Sequence, residues 1–557
     1  MNTSAPATRF VIVGGVAAGA SAAARARRLD ESAHITLLER GPDVSFANCG
    51  LPYFIGGEIK SRDALAVQTP ATLKAMLALD VRTSTEAVAI DRAARRVEVR
   101  SLASGTTGWL SYDKLLLAPG AVPLRPPLPG IDDPRLFTLR SLQDMDRIKS
   151  AATDAKRVAI IGAGFIGLEM AEQFVHLGKH VTLIELLDQV LPPLDRPMTS
   201  LINDELHRRG VELVLDDGIA GFETEGALRC RLASGRVLEA DLVVLALGVK
   251  PDTALARAAG LDLGARGHIR VNAFMQTSDP AIYAAGDAVE TADLVTGTPV
   301  AVPLGGPANR QGRLVADHIF RPDLAQPYPG TLGTAIVRVF DVAAGLTGWT
   351  ENASAPPAAP TAPSPSTTTT TPAISPARSR SSSNSSGTPP TAASSAPRPP
   401  ASPASTNAST LSPPPSPAAS PSTTSLISSS PTRHPSAPPK TSSTSPASPP
   451  ATPATASSHP STRPDDASVQ VLDVRPPALV QLHPVPRAGV INIPLAALRA
   501  RLGELDRTRP VVTVCALGKT AYFAARILTQ NGFNASALTG GIRAHFDPRS
   551  PAKLPTP

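Results

Sequence analysis

Short apolar runs alternate with helix-period stretches through the first part of the chain. Residues 9–13 read as a strand, 18–29 as a helix and 35–39 as a second strand, and the pattern returns at 157–161, 167–177 and 181–185. Strands separated by helical stretches predict parallel sheets with crossover helices. The first 320 residues therefore hold two related strand–helix–strand units, one inserted into the domain of the other. The pattern stops after Glu351. Residues 352–464 contain no Phe, Trp or Tyr and are dominated by Pro, Ser, Thr and Ala. Such a segment buries too little apolar surface to offset the entropy of ordering it, so disorder with extended polyproline-like pieces is expected. Periodicity resumes near Ser468, with strands expected at 469–474, 490–493 and 510–514 and helices at 495–505 and 520–531.

Composition refines this division. A chain of 557 residues has room for three or four domains, and 42% hydrophobic residues suffice for ordinary cores. The 59 prolines are too many for one globular fold. The net charge of +7 looks at first like a nucleic-acid signal. Six of the cations (Arg378, Arg380, Arg398, Arg433, Lys440 and Arg463) fall in the proline-rich segment, which has no acid, so the remainder is close to neutral. A nucleic-acid footprint needs basic residues clustered on one face, so no such partner is expected. No run of 18 apolar residues occurs and the first residues lack a basic-then-apolar leader, which points away from the membrane and secretion and toward the cytoplasm. Cys49, Cys230 and Cys515 are too few and too scattered for a disulfide scaffold. No metal-ligand set is assigned.

Two glycine-rich turns carry the first chemistry. Gly14-Gly15-Val16-Ala17-Ala18-Gly19 follows a strand and opens a helix, and Glu39 stands 20 residues beyond Gly19 at the end of the next strand. Small residues there let backbone approach a pyrophosphate at the helix N-terminus, and the acid suits a ribose hydroxyl. Gly162-Ala163-Gly164-Phe165-Ile166-Gly167 repeats the arrangement with all three fingerprint glycines, and Glu185 closes its strand. Two such sites suggest one resident flavin and one exchanging nicotinamide. Glu185 would repel a 2′-phosphate, which favours NADH over NADPH; the alternative is a solvated strand end. Ala284-Ala285-Gly286-Asp287 follows another apolar run and places a carboxylate where ribityl hydroxyls could be bound. Ser45-Phe46-Ala47-Asn48-Cys49-Gly50-Leu51-Pro52-Tyr53 lies about ten residues beyond Glu39. Taken alone, its cysteine would more often be structural than catalytic.

That last stretch, with the motifs before it, resembles the single-cysteine branch of the FAD-dependent pyridine-nucleotide disulfide oxidoreductases, and most of all the coenzyme A-disulfide reductases. The resemblance spans about residues 10–350 and includes 115–121 and Pro303-Leu304-Gly305-Gly306-Pro307-Ala308-Asn309-Arg310-Gln311-Gly312. It implies FAD on Gly14, Gly15, Val16, Ala17, Gly19, Glu39, Arg40, Ala118, Gly120, Gly286, Asp287 and Asn309. It implies NADH, with NADPH possible, on Gly162, Gly164, Phe165, Ile166, Gly167, Glu185 and Gly248, and Glu169 near the nicotinamide. Pro119 replaces the small polar residue common at its position. Because the next cysteine, Cys230, falls in an expected strand, Cys49 would work alone through a mixed disulfide, persulfide or sulfenic acid. Asn48 would donate a hydrogen bond to a small disulfide or persulfide substrate. A homodimer is the expectation of the family.

The C-terminal region resembles a rhodanese domain: Val471-Leu472-Asp473-Val474-Arg475, Val490-Ile491-Asn492-Ile493-Pro494, then Cys515-Ala516-Leu517-Gly518-Lys519-Thr520 opening a helix. A cysteine between a strand end and a helix N-terminus is suited to a thiolate or persulfide, and Lys519 is expected to add a cation. Thr520 stands where the family usually has arginine, so a purely structural domain is the alternative to a sulfur carrier. The expected fold is α/β, with two nested Rossmann-like dinucleotide-binding domains, an interrupted dimerisation domain, a disordered segment and a C-terminal α/β rhodanese-like domain. The expected limits are 1–151 with 270–325 for FAD, 152–269 for NAD(P)H, 326–351 for the start of the dimerisation domain, 352–466 for the low-complexity segment and 467–550 for the rhodanese-like domain. The resemblance to the dimerisation domain breaks off inside a fold, which suggests a frame-shifted translation over 352–464, with an evolved linker as the alternative. The segment has no Tyr, whereas the family's active site borrows tyrosines from the partner subunit. The activities expected are reduction of CoA disulfide or of a related persulfide or polysulfide, then NADH oxidase or peroxidase through a cysteine sulfenic acid, then a non-enzymatic or inactive remnant. Peroxide-active relatives carry histidine where this chain has Ala17, which weighs against the second.

Overall fold

The computed structural model describes residues 6–351, 466 and 468–546, together with the backbone of two short strands, Ile374–Ser375 and Thr424–Ser428. The expectations of disorder and of a frame-shifted segment fall almost wholly outside the described residues. Two five-stranded parallel sheets dominate. The first runs Ile282–Ala284, Lys114–Leu117, Arg9–Val13, His34–Leu38, Asp80–Arg82. The second runs Glu212–Val214, His180–Ile184, Arg157–Ile161, Leu242–Leu245, Leu136–Phe137. All strands of the second sheet lie, in sequence, between Lys114–Leu117 and Ile282–Ala284 of the first, so one unit is inserted into the other.

The central strands are uninterrupted apolar runs because helices cover both faces of a parallel sheet. Phe10, Ile12, Leu37 and Leu116 sit at the centre of the first core with Ala22, Ala23 and Ala26 of the helix Ala17–Leu29. Alanine on that helix lets it approach a second one, Gly305–Phe320, so closely that a Cβ at Gly312 would lie 2.1 Å from the Ala18 carbonyl oxygen. The helix Phe165–His176 covers the second sheet through Leu168, Ala171 and Phe174. Cys230 lies fully buried in the antiparallel strand Leu228–Leu232, where burial pushes its thiol up to about 12.

Beyond the flavin-type fold, Ala335–Val339 and Val342–Thr347 form a hairpin, and the sheet continues through Thr424–Ser428 and Ile374–Ser375. The C-terminal domain is a four-stranded parallel sheet ordered Ile491–Asn492, Gln470–Asp473, Val511–Val514, Ala535–Ala537. The helix expected over 495–505 is instead a short helix, Leu495–Leu498, and a separate 3-10 turn, Leu502–Glu504. Gly503, a poor helix former, falls within that 3-10 turn, and the Arg499 guanidinium reaches another domain. Arg499 forms a two-pronged ion pair with Glu31 at 2.8 and 2.9 Å and donates to the Met76 carbonyl at 3.0 Å. Gln530 accepts from the Glu31 N–H at 2.8 Å, and Arg526 and Gln530 donate to the Arg28 carbonyl. The C-terminal domain is thus docked on the first helix of the flavin-type fold. Among the described residues, no helix is long and apolar enough to cross a membrane.

Candidate active site

The two glycine turns open onto one continuous cleft of about 3280 Å³. Gly14 and Gly162 adopt φ of +98° and +104°, which L side chains rarely take. A Cβ at Gly14 would lie 2.0 Å from the Ala118 carbonyl oxygen, and one at Gly162 would lie 2.5 Å from that of Ala246. Gly19 and Gly167 do not line the cleft. They press against the turn that precedes them, since a Cβ would meet the Gly14 or Gly162 carbonyl oxygen at 1.8 or 1.9 Å. Their role is close helix–strand packing, which in turn aims the helix N-terminus at the cleft. The middle position differs. Gly164 has nothing within 4 Å of a would-be Cβ, and Val16 holds an ordinary φ of −100°. Valine at this position lines the cleft.

Both acids are tied to their own loops. Glu39 accepts from the N–H groups of Gly15 and Gly41, each at 2.8 Å. Glu185 accepts from Ala163 at 2.7 Å and Leu187 at 3.0 Å, and it is buried rather than a solvated strand end. Arg40, Ala118, Gly120, Phe165, Ile166, Gly248, Gly286, Asp287 and Asn309 line the same cleft, as do Gly15 and Ala17. Gly286 adopts φ +83°, and its N–H donates to Gln311 Oε1 at 2.8 Å, which turns the chain so that Asp287 reaches the cleft. Burial lifts the Asp287 carboxyl above its usual range, with Arg140 partly offsetting this. Asn309 Oδ1 accepts from the Ser21 hydroxyl at 2.6 Å, clamping the two helices together.

Cys49 stands in a 3-10 turn, Asn48–Gly50, whose loop is fastened to the first glycine turn by the Ser45 N–H donating to the Gly15 carbonyl at 2.9 Å. Both Asn48 and Cys49 line the cleft, and Cys49 is the only cysteine that does so among the described residues. The thiol is accessible but walled by protein. That desolvation first, and then the charge of Glu169, raises it above the ordinary thiol range. Glu169 itself is pushed up to about 7, chiefly by burial. The Tyr53 hydroxyl donates to Glu169 Oε1 at 3.3 Å. Three side chains here escaped sequence reasoning. Tyr53 lay within the quoted motif but had no local signal of its own. Arg140, which donates to the Pro119 carbonyl at 2.9 Å, and Arg338 come from distant elements that only folding brings together. Glu58, Glu172 and His176 also converge nearby, but the Arg338 guanidinium sits among them, 2.5 Å from Glu58 and 2.7 Å from Glu172.

Cys515 lies outside the cleft. It ends the strand Val511–Val514, and its Sγ accepts from the N–H groups of Gly518 at 3.1 Å and Ala521 at 3.4 Å. Burial would raise this thiol, but hydrogen bonds from the Thr520 hydroxyl and from backbone N–H groups outweigh it and hold it below its ordinary value. Lys519, expected to add a cation to this loop, also lines the main cleft with Phe523, since docking brings this helix against the flavin-type fold. Asn492 donates to the carbonyls of Asp473 and Arg475, and those two side chains form a buried pair at 2.6 Å; all three brace the sheet.

A parallel-sheet unit inserted into another, with both glycine turns opening on one accessible cysteine, defines a class: oxidoreductases that pass electrons between two dinucleotides and a sulfur. The chain belongs to the pyridine nucleotide-disulphide oxidoreductases, whose family model matches residues 8–305, and it ends in a rhodanese-like domain matched over 461–545. This family of enzymes is FAD-dependent and uses pyridine nucleotides. The chain is 35% identical to an NADH oxidase of Enterococcus faecalis, over 62% of this chain and 77% of that one. It is similar to reduced Bacillus anthracis CoADR-RHD, with 30% identity, a TM-score of 0.61, and 96% and 97% of the two chains covered. It is also similar to an NAD-dependent persulfide reductase from A. fulgidus, with 28% identity, a TM-score of 0.61, and 97% and 100% covered.

Proposed function

We propose that this chain reduces CoA disulfide or a related persulfide or polysulfide at Cys49, with NADH as the preferred donor. The carrying observation is that Cys49 stands alone in the cleft shared by both glycine turns. With no second cysteine there, the substrate sulfur itself must bond to Cys49. FAD would be held by Gly14, Gly15, Glu39, Arg40, Ala118, Gly120, Asp287 and Asn309, and the nicotinamide dinucleotide by Gly162, Gly164, Phe165, Ile166, Glu185 and Gly248. Gly14, Gly15, Gly162 and Gly164 line the cleft, and open space beside Gly164 leaves room for such a group to approach the backbone. When bound, these groups supply the electron pair that the reduction consumes. Cys49 as thiolate attacks one sulfur of the substrate, forms a mixed disulfide and releases the other sulfur as a thiolate or hydrosulfide. Asn48 orients the substrate, and the glycine turns fix the dinucleotides without side-chain interference. The similarity to a persulfide reductase and to a CoADR-RHD supports this substrate class.

Cys49→Ser tests it. NADH-dependent reduction of CoA disulfide and polysulfide should fall at least about a hundredfold while the bound flavin's absorbance stays near normal; retention of most of the activity would remove Cys49 as the redox centre. A second reading, an NADH oxidase with Cys49 cycling through sulfenic acid, is favoured by the Enterococcus relative. Rapid oxygen consumption without a sulfur acceptor would select it.

A further inference from the structure

We propose that Arg338 is the positioning residue that holds the Cys49 turn in register with the second glycine turn, acting through Glu58, Glu172 and Tyr53. The inference rests on Cys49 being the redox sulfur.

Cys49 stands in the turn Asn48–Gly50, which leads directly into the helix Leu51–Ile55. A helix this short does not hold itself in place. The position of the sulfur is therefore set by what grips it. Lys149 Nζ donates to the carbonyls of Phe54 and Ile55 at 2.6 and 3.3 Å, which fastens the end far from Cys49. The flank packs on the helix Phe165–His176, which starts within the second glycine turn. Glu169, Glu172, Gln173 and His176 recur there at the three- and four-residue spacing of one helix face. That face meets the Cys49 helix. The Tyr53 hydroxyl donates to Glu169 Oε1 at 3.3 Å, and Gln173 Nε2 donates to Glu58 Oε1 at 3.0 Å.

Charge opposes this contact. Carboxylate oxygens of Glu58 and Glu172 lie within 4.8 Å of each other, and the Glu172 side chain is only 2% exposed. Two carboxylates at that distance repel, and a buried one without a cation is costly. Arg338 answers both. It comes from the hairpin strand Ala335–Val339, and one of its nitrogens, Nη2, lies 2.5 Å from Glu58 Oε1 and 2.7 Å from Glu172 Oε1. Its guanidinium also lies 5.0 Å from the centre of the Tyr53 ring, whose face attracts a cation. Among the described residues no other lysine or arginine pairs with either acid. The hairpin is itself fixed, since the Phe340 N–H donates to Glu172 Oε2 at 3.0 Å. One cation thus ties the Cys49 helix, the helix of the second turn and the hairpin together.

Loss of that cation carries a pH signature. Burial pushes Glu172 up to about 7, and the Arg338 charge is the main influence opposing it. Without Arg338, a protonated Glu172 can still donate to Glu58 at low pH and keep the two helices together. As pH rises Glu172 ionises, two like charges face each other, and the Cys49 helix loosens. The other titratable or charged groups around Glu172 are Tyr53 from the Cys49 helix and Glu169 and His176 from its own, with Arg209 and Asp341 beyond His176.

The test compares two NADH-driven rates in the FAD-loaded full chain. One is reduction of CoA disulfide, which needs Cys49; the other is reduction of ferricyanide, which draws electrons from the flavin directly. Arg338→Met should lower kcat for the disulfide at least about tenfold, and more at high pH than at low. Its KM for NADH and its ferricyanide rate should stay within about twofold of wild type. Amide exchange over 48–58 should rise while that over 9–29 does not change. Arg338→Lys should fall between the two. In Arg338→Met/Glu172→Gln the new amide donates to Glu58 and accepts from Phe340 at every pH, so most of the lost turnover should return and the pH dependence should vanish. This double variant carries the test if Arg338→Met alone loses its flavin. Among variants that keep flavin, equal loss of both rates, an unchanged disulfide rate in Arg338→Met, or a double variant no better than Arg338→Met overturns the proposal. A wild type that reduces ferricyanide but no disulfide or persulfide overturns the proposed function instead, and amide exchange over 48–58 then decides the role of Arg338.

Discussion

Three cysteines of one chain occupy three different chemical environments, and each environment is set within a few ångströms of the sulfur. Cys515 is surrounded by N–H groups and a hydroxyl, Cys49 by protein walls and a carboxylate, and Cys230 by apolar side chains alone. Donors to a thiolate lower its pKa, while desolvation and like charge raise it. Alkylation profiles of the native protein should therefore place the Cys515 midpoint below that of Cys49, with Cys230 silent until unfolding. Reversal of the Cys515 and Cys49 midpoints would show that the loop N–H groups do not reach the sulfur in solution. Glu185 gives a second expectation at this scale. Replacing it by Ser removes the like charge that a 2′-phosphate would meet, so the ratio of kcat/KM for NADH over NADPH should drop about tenfold. The ratio is the informative measure, because Glu185 also holds the Ala163 and Leu187 N–H groups and its loss loosens the loop for both donors. An unchanged ratio would leave donor choice to other residues.

At the level of elements, the two glycine turns separate glycines the fold demands from those a ligand demands. Gly19 and Gly167 lie against backbone carbonyls, which cannot swing aside as a side chain can. Gly19→Ala should cost about 1–3 kcal/mol or more and lower flavin retention, because the helix must retreat from the strand. Gly164→Ala meets open space, so the protein should melt within about a degree or two of wild type while its KM for NADH rises. Thermal melts with and without added FAD, set beside steady-state kinetics, distinguish the two. A Gly164→Ala variant as unstable as Gly19→Ala would mean that position 164 is not open to the cleft.

For the molecule as a whole, the docked C-terminal domain matters most. Its attachment rests on the Glu31–Arg499 pair, both side chains partly buried, and on Gln530 and Arg526 clasping the end of the first helix. Removing Arg499 should weaken docking by about 1–3 kcal/mol. Arg499→Ala should thus raise amide exchange in 17–29 and 519–530 together, and small-angle scattering should show a larger radius of gyration. If exchange in both segments stays at the wild-type level, the domains are held by apolar contacts such as Phe523 rather than by this pair. In the docked arrangement Cys515 lies outside the cleft that holds Cys49.

Local patterns carried much of this architecture. Apolar strand runs, glycine turns and acids at fixed spacing are properties of neighbouring residues, so the sequence by itself determined the nested parallel sheets, both glycine turns, the lone cysteine of the cleft and the second cysteine loop at a helix start. Glycines 14, 19, 162 and 167 were legible because backbone approach leaves no chemical alternative to glycine. The tertiary structure alone decided what comes together from afar. Arg338 and Tyr53 reach the Glu169 region from separate elements, and Arg140 reaches Asp287 across more than a hundred residues of chain. Lys519 shows the same limit: its place in the sequence sets it beside Cys515, but that it also lines the main cleft follows from docking on Glu31 and Arg28 nearly five hundred residues away. Periodicity reports which residues are buried, but not against what, because packing partners are chosen by the whole fold.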